Sequence, residues 1–213
     1  MSETVSPEAF VERLLARLGT VGAGGRLLVA LAGAPGSGKS TLSAMVEDKV
    51  NQTHPGAAAV VPMDGYHYDD EVLVPNGWRP RKGAPHTFDV GGLAAMLQRL
   101  KANEEETIAI PRFDRDLEIA RAGARLIPQL VRLILVEGNY LLLDMPPWDS
   151  LAGHFHVTAM IAVEEAELRR RLAARWDGYG LDAAAITAKL EENDLPNGRL
   201  VVHKSRQAHM TIV

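Results

Sequence analysis

A single short segment, residues 33–40, limits the architectures open to this chain. It reads GAPGSGKS and matches the pattern G-x-x-x-x-G-K-[ST], in which glycines let the backbone wrap a phosphate group at the N-terminus of a helix. The surroundings agree, because the apolar run 27–32 predicts a buried strand before the segment and residues 39 to about 50 predict a helix after it. We therefore expect an α/β fold that presents a nucleotide-binding phosphate loop.

The residue types in this loop indicate how a nucleotide is held. Lys39 supplies a positive charge to the β- and γ-phosphates, and the Ser40 hydroxyl is of the type that ligates magnesium. Thr41 follows closely enough to touch the α-phosphate. The predicted nucleotide contacts are Gly33, Ala34, Pro35, Gly36, Ser37, Gly38, Lys39, Ser40 and Thr41.

Strands and helices alternate along the rest of the chain. Apolar runs predict buried strands at residues 27–32, 57–63, 107–113, 131–136 and 155–163, with a last short strand at 211–213. Helical patterns occupy residues 90–100, 164–176 and 182–193. This alternation predicts a largely parallel sheet with helices on both faces. Residues 1–25 hold an N-terminal helix and a glycine-rich linker, and residues 26–213 form the main domain.

Composition excludes several classes of function. The chain has 213 residues, a net charge of -4 and no cysteine, so disulfides, thiolate metal sites and a cysteine nucleophile are all excluded. Its mild acidity argues against nucleic acid or a membrane surface as the main partner. No apolar run approaches the roughly 20 residues that span a bilayer, and the acidic N-terminus is unlike a targeting peptide. We expect a cytoplasmic protein.

Acidic residues follow three of the predicted strands, where carboxyl ends of parallel strands meet beside a phosphate loop. Asp64 there can accept the proton of a substrate hydroxyl as it attacks a γ-phosphate. Glu137 has the position of a magnesium-associated carboxylate. Arg112 and Asp114 could bind substrate hydroxyls or charge. The alternatives are a plain turn at Asp64, a loop acid at Glu137 and a surface ion pair at the other two.

Residues 65–88 form a long segment without clear periodicity, and such a loop inside a compact domain is usually functional or disordered. We expect the substrate contacts there, at Tyr66, His67, Arg79 and His86.

Arginines cluster on the helix before a polar hinge at residues 177–180. Arg171 and Arg175 lie at the edge of the buried stripe, whereas Arg170 points away from it. Residues 169–195 could form a lid whose arginines stabilise charge on a transferring phosphoryl group. A solvated basic face is the alternative.

Together, the segments GAPGSGKST, MDGYHY, RKGAPHTFD, PRFDR, ILVEGNYLL and ELRRRL resemble the phosphoribulokinase, uridine kinase and bacterial pantothenate kinase group of P-loop kinases. The resemblance runs from about residue 28 to the C-terminus and looks closest to a subgroup described as fructose-transport-system or nucleoside/sugar kinases. It implies a three-layer αβα sandwich with a mostly parallel sheet and a small helical lid. It also implies ATP and Mg²⁺ as cofactors and phosphorylation of a small-molecule hydroxyl.

The resemblance further implies roles for individual residues. Asp64 would be the catalytic base, Lys39 and Ser40 the phosphate and metal contacts, and Glu137 a helper of the metal. Arg170 would be the lid arginine, which differs from the choice that helical periodicity favours. Tyr140, in the segment that follows Glu137, joins the substrate candidates.

The acceptor stays open between several alternatives. Uridine kinases tend to show an acidic-Ser-Phe-Tyr pattern where this chain has Asp64-Gly65-Tyr66-His67, which favours a sugar or a pantothenate-like alcohol over uridine. A fructose-like sugar is the first choice. Pantothenate or a noncanonical nucleoside is the alternative acceptor. A nucleotide-switch ATPase that binds a protein partner is an alternative of another class, disfavoured by Asp64 and the substrate-sized loop. A homodimer is left open, because dimers are common in this group.

Overall fold

The computed structural model describes residues 2–22 and 24–213, so Met1 and Ala23, the latter within the predicted linker, lie outside the described residues. The strands of the described chain are β1 (Glu3–Val5), β2 (Leu27–Gly33), β3 (Ala58–Pro62), β4 (Thr107–Asp114), β5 (Ile119–Pro128), β6 (Leu133–Gly138), β7 (Val157–Ile161) and β8 (Met210–Ile212). The helices are α1 (Pro7–Leu18), α2 (Lys39–Thr53), α3 (Asp70–Leu73), α4 (Val90–Ala102), α5 (Glu165–Gly178), α6 (Ala183–Lys189) and α7 (Leu195–Lys204). A π-helical segment, Leu190–Asp194, joins α6 to α7.

Six strands form one parallel sheet in the order β1-β8-β7-β2-β6-β3. Successive residues of β2 point to opposite faces, so Leu28 and Ala30 join the core under α4 while Leu27 and Val29 join the core under α1 and α2. Because both faces are covered, β2 and β6 are buried at every position. The predicted three-layer αβα sandwich is confirmed.

The N-terminal segment belongs to this same folding unit. Ser6 caps α1, since the Ala9 N–H donates to its Oγ at 3.2 Å. The apolar stripe of α1, represented by Phe10 and Leu14, is buried in the core that contains Val29. β1 pairs with β8 at the edge of the sheet. α1 and β1 therefore pack with the main sheet on one core.

A strand is present at the predicted residues 107–113, but the prediction that it joins the main parallel sheet was wrong. β4 pairs antiparallel with β5 in a separate two-stranded sheet. The burial of β4 alternates, with Ile108 and Ile110 buried against α4 while Thr107 and Ala109 are exposed. A strand with one buried face cannot occupy the middle of a sheet covered on both sides. Arg112 and Asp114 consequently belong to a hairpin, not to a strand of the main sheet.

The segment 65–88 contains short helical turns, namely Met63–Tyr66, α3, Arg79–Arg81 and Pro85–Thr87. The helix predicted at residues 182–193 continues through the π-helical segment into α7. None of the described helices is long and apolar enough to span a membrane.

Candidate active site

The loop between β2 and α2 closes tightly around the N-terminus of α2. Gly36 and Gly38 have φ values of 78° and 94°, a region that favours glycine. A Cβ atom on Gly36 would lie 2.9 Å from Cγ of Leu172, so α5 can approach the loop only because this residue is glycine. No side chain caps α2 at Gly38, which leaves its first N–H groups available to an anion.

Lys39 lies at the centre of this loop. Its Nζ donates hydrogen bonds of 3.0 Å to the carbonyl oxygens of Gly33 and Ala34, and the residue is only 8% exposed. Burial lowers the pKa of Lys39 to about 8, although the charges of Glu137 and Asp64 oppose this effect. The site thus holds a desolvated ammonium group close to two carboxylates.

Glu137 faces the start of α2 from the carboxyl end of β6. The Ser40 Oγ donates to Glu137 Oε1 at 3.3 Å, and the strand register places Glu137 between Leu31 and Pro62. Burial and the charge of Asp64 raise the pKa of Glu137, whereas Lys39 lowers it.

A hydroxyl next to buried carboxylate oxygen is a suitable donor set for Mg²⁺, which prefers oxygen ligands and commonly shares them with substrate phosphates. No group of three or more His, Cys, Asp or Glu side chains arranged to hold a metal occurs in the part of the chain that the structure describes. Ser40 and Glu137 would supply two of the oxygen ligands of a magnesium ion, and a nucleotide and water would supply the others.

Asp64 follows β3 in the turn Met63–Tyr66, and neighbours hold it from two sides. Arg115, in the turn between β4 and β5, donates from Nη2 to Asp64 Oδ2 at 2.7 Å. His67 contacts the Asp64 carbonyl oxygen through Nδ1 at 2.8 Å, and because that oxygen only accepts, Nδ1 carries the hydrogen. The His67 ring packs against Phe88 and Phe113, with centroid distances of 4.0 and 4.7 Å. Burial lowers the pKa of His67.

These groups surround one cavity of 590 Å³. Its walls come from the phosphate loop, the turn after β3, the segment 65–88, the β4–β5 hairpin and the helices from α5 to α7. The predicted site residues that line it are Pro35, Gly36, Gly38, Lys39, Ser40, Thr41, Asp64, His67, Arg79, Glu137, Arg171 and Arg175.

Other predicted substrate residues lie outside this cavity. Tyr66 and Tyr140 are buried in the core, where burial raises the pKa of each, and the Tyr140 hydroxyl donates to the Gly83 carbonyl at 2.7 Å. The His86 ring packs against the indole of Trp78, with a centroid distance of 5.4 Å. The structure thus gives these three predicted residues packing contacts instead of a place in the cavity wall.

The two predicted residues of the hairpin take different positions. Arg112 lines an adjoining cavity of 270 Å³, together with Asp64 and Glu137. Asp114 accepts two backbone hydrogen bonds of 3.1 Å within the hairpin turn and pairs with Arg121 at 3.2 Å, so its carboxylate shapes the turn. Sequence analysis missed Arg115, although the PRFDR segment contains it, because nothing in the spacing shows that the hairpin folds over Asp64.

The arginines of α5 separate as helical periodicity predicts. Arg171 donates from Nη1 to the Ser37 carbonyl at 3.4 Å, and it lines the cavity with Arg175. Arg170 is exposed and pairs with Glu167 at 2.7 Å, away from the cavity. The structure brings two of the three predicted lid arginines to the phosphate loop and leaves Arg170 outside.

A further cavity of 530 Å³ lies behind the phosphate loop, where Ala34 and Pro35 form part of its wall. Leu168 and Leu172 of α5 add an apolar side. Two buried polar atoms of residues in its wall, Ser205 Oγ and Arg206 Nε, make none of the described hydrogen bonds. Both atoms are inaccessible to solvent, so other atoms form the accessible wall of this cavity.

Known proteins resemble this chain in sequence and in fold. The chain is 35% identical over 201 residues to "Uncharacterized protein YggC" of Escherichia coli K12, a match covering 93% of this chain and 82% of that protein. It is 33% identical over 179 residues to "Putative uridine kinase C227.14" of Schizosaccharomyces pombe, covering 81% of this chain and 76% of that protein. The chain belongs to the P-loop kinases of the uridine kinase and phosphoribulokinase group.

Solved structures of P-loop kinases agree with this assignment. The "putative fructose transport system kinase" of Silicibacter sp. TM1040 superposes with a TM-score of 0.89 at 41% identity, covering 97% of this chain and 98% of that one. YFH7 of Saccharomyces cerevisiae, at 19% identity and a TM-score of 0.82, covers 98% of this chain and 99% of its own, and it shares the fold. No protein-family model matches the chain.

Proposed function

We propose that this P-loop kinase transfers the γ-phosphate of ATP to a hydroxyl group of a small polar metabolite, with a sugar as the preferred kind of acceptor. The observation that carries the proposal is the convergence of Lys39, Asp64 and Glu137 on one cavity. The name of the similar Silicibacter protein supports a sugar. Pantothenate or a noncanonical nucleoside is the alternative acceptor.

The phosphate loop would hold the triphosphate. The N–H groups at the start of α2 would donate to phosphate oxygens, and Lys39 would exchange its two carbonyl partners for oxygens of the β- and γ-phosphates. Negative charge nearby favours the ammonium form, so nucleotide binding would raise the pKa of Lys39 from its value of about 8. Ser40 and Glu137 would hold Mg²⁺, which when bound neutralises charge on the phosphate oxygens.

The cavity of 530 Å³ behind the phosphate loop suits the adenine half of ATP. It borders the phosphate loop at Ala34 and Pro35, which places it within reach of a nucleotide whose phosphates bind that loop. The apolar side formed by Leu172 would contact the face of the base.

Asp64 is the proposed base. Its carboxylate takes the proton of the acceptor hydroxyl while the hydroxyl oxygen bonds to the γ-phosphorus, and the bond to the β–γ bridging oxygen breaks to release ADP. Arg171 and Arg175 would stabilise negative charge on the phosphoryl group in transit.

The π-helical segment that follows α6 contacts the proposed substrate loop, residues 65–88, through Asn193. Asn193 Nδ2 donates to the Lys82 carbonyl at 3.1 Å, and Arg81 Nε donates to Asn193 Oδ1 at 3.3 Å. These contacts support a lid over residues 169–195 that closes against the substrate loop.

An assay of ADP release over a panel of sugars, nucleosides and pantothenate tests the proposal. Asp64→Asn should abolish acceptor-dependent turnover while leaving binding of a fluorescent ATP analogue largely intact. Asp116→Asn, the same chemical change at an exposed hairpin position, is the matched control and should retain activity. Full activity of Asp64→Asn would exclude Asp64 as the base, and hydrolysis that no acceptor accelerates would instead favour a nucleotide-switch ATPase.

A further inference from the structure

Positive side chains line the part of the main cavity that the substrate loop and the hairpin build. Arg79 and Lys82 face it from the loop, and Arg115 faces it from the hairpin. The loop also contains Asp69, Asp70 and Glu71, and none of these three acids lines the cavity. Its charges balance along the sequence, three against three, yet two of the positive residues and none of the acids line the cavity.

Lys82 is the best-buried of these cations, with a side chain only 7% exposed. Its Nζ donates to Asp70 Oδ1 at 2.9 Å and lies 5.6 Å from the centroid of Phe113. Arg79 donates from Nε to the other oxygen of the same carboxylate at 2.7 Å. Two cations therefore share one carboxylate, and their hydrogen bonds lower the pKa of Asp70. One carboxylate cannot neutralise two cations, so this arrangement leaves one net positive charge beside the cavity that an anionic ligand could balance.

The remaining charges around the cavity do not cancel this excess. Among the described residues, seven lysine and arginine side chains line the cavity against four acidic ones. Asp64 already pairs with Arg115, and Glu118, which is exposed, offers its backbone carbonyl to Lys82. Arg79 uses only Nε in its described hydrogen bond, so its two Nη groups can form the bidentate contact that guanidinium groups make with oxyanions.

We propose that the phosphate acceptor itself carries an anionic group, a carboxylate or a phosphate, which binds Arg79 and Lys82 while its hydroxyl faces Asp64. The inference rests on the proposed kinase function and refines its acceptor from a neutral sugar to a sugar acid or a sugar phosphate. The shared requirement is an oxyanion with a hydroxyl group in the same small molecule.

Matched acceptor pairs test this directly. ADP release is measured with glucose, gluconate and glucose 6-phosphate, and with fructose and fructose 6-phosphate, each at several concentrations. We expect the anionic members to exceed their neutral counterparts in kcat/KM by about 10-fold or more, the size of one charge-assisted contact. The acid and phosphate arms show which oxyanion the site prefers.

Variants then assign the effect to residues. Arg79→Gln should raise the KM for the anionic acceptor by about 10-fold with little change in the KM for ATP, while Arg79→Lys recovers part of the loss. Arg99→Gln, which also removes an exposed arginine paired with one carboxylate, is the control and should leave every constant unchanged.

Four outcomes decide the matter. Turnover of neutral sugars that equals or exceeds that of their anionic partners overturns the inference and leaves the kinase function standing. An equal effect of Arg79→Gln on neutral and anionic acceptors also overturns it, because the residue then acts on the fold of the loop. If none of these compounds accelerates ADP release but a nucleoside of the wider panel does, only the inference fails; if no compound of the wider panel does, the inference and the proposed function both fail.

Discussion

The burial of Lys39 predicts how the free energy of unfolding depends on pH, and this dependence reports on the electrostatics of the phosphate loop. Burial lowers the pKa of Lys39 from 10.5 to about 8. In the unfolded chain the ordinary value returns, so between these two pH values the unfolded state binds a proton that the native state lacks. The free energy of unfolding contributed by this lysine therefore rises as the pH increases through this window. Below about pH 8 both states are protonated, and the cost of burying the charge is fully present.

The magnitude follows from the difference between the two pKa values. A difference of about 2.5 corresponds to about 3 kcal/mol, since each pKa unit is worth about 1.4 kcal/mol. Lys39→Met keeps most of the side-chain length and removes the charge. We expect the free energy of unfolding of wild type, relative to the variant, to increase by about 3 kcal/mol between about pH 7 and about pH 10.5.

Urea unfolding of both proteins across this range measures the effect, and the comparison cancels titrations that the two chains share. A non-hydrolysable ATP analogue provides the control, because phosphate charge favours the ammonium form and should shift the pH dependence upwards. A difference between wild type and variant that stays constant across the window would refute the reasoning, since the lysine would then keep its ordinary pKa in the folded protein.

Three other substitutions and responses follow from the geometry of the loop and the lid. Gly36→Ala should lower the free energy of unfolding by about 1–3 kcal/mol, measured by urea unfolding, because it combines a φ of 78° with a Cβ atom 2.9 Å from Leu172. Arg171→Gln should lower kcat by about 10-fold or more in the ADP-release assay, whereas Arg170→Gln should stay within about 2-fold. Hydrogen exchange of residues 169–195 should slow when an ATP analogue and the best acceptor bind together.

Each of these expectations has an outcome that contradicts it. Gly153→Ala, at a site with no atom within 4 Å of the added Cβ, is the control for the loop, and equal stability loss in both variants would show that steric fit at Gly36 is unimportant. Equal losses of kcat for Arg170→Gln and Arg171→Gln would mean that the cavity wall does not identify the catalytic arginine. Unchanged exchange over residues 169–195 would argue against a closing lid.

Sequence patterns predicted the central layer because its burial leaves a clear signature. A strand covered on both faces needs an unbroken apolar run, and β2 and β6 supply one before Gly33 and Glu137 respectively. The strand at residues 107–113 was misplaced because a short run with Ile108 and Ile110 looks similar whether one face or both are buried. Its partner β5 left no signal, since small and charged residues fill most of its positions.

The candidate site was predictable where chemistry depends on neighbours in sequence and obscure where it depends on distant contacts. The phosphate loop and the acids after β3 and β6 follow from strand order alone. Arg115 meets Asp64 across 51 positions in sequence, and only the fold of the hairpin creates that contact. Tyr66 and Tyr140 were expected to face substrate from their place beside Asp64 and Glu137, yet the packing around α4 buries both.

The groups that make this cavity suitable for a nucleotide also lower the stability of the protein when no nucleotide is bound. Lys39 and Glu137 are both nearly buried, and in each case burial shifts the pKa towards the neutral form. Neighbouring opposite charge offsets only part of that cost, since Asp64 stabilises the ammonium of Lys39 and at the same time repels the carboxylate of Glu137. A polyanion bound at the loop places negative charge beside Lys39 and so favours its ammonium form. A ligand that binds the native state and not the unfolded state raises the free energy of unfolding. Nucleotide binding at this site should therefore stabilise the carboxyl edge of the sheet.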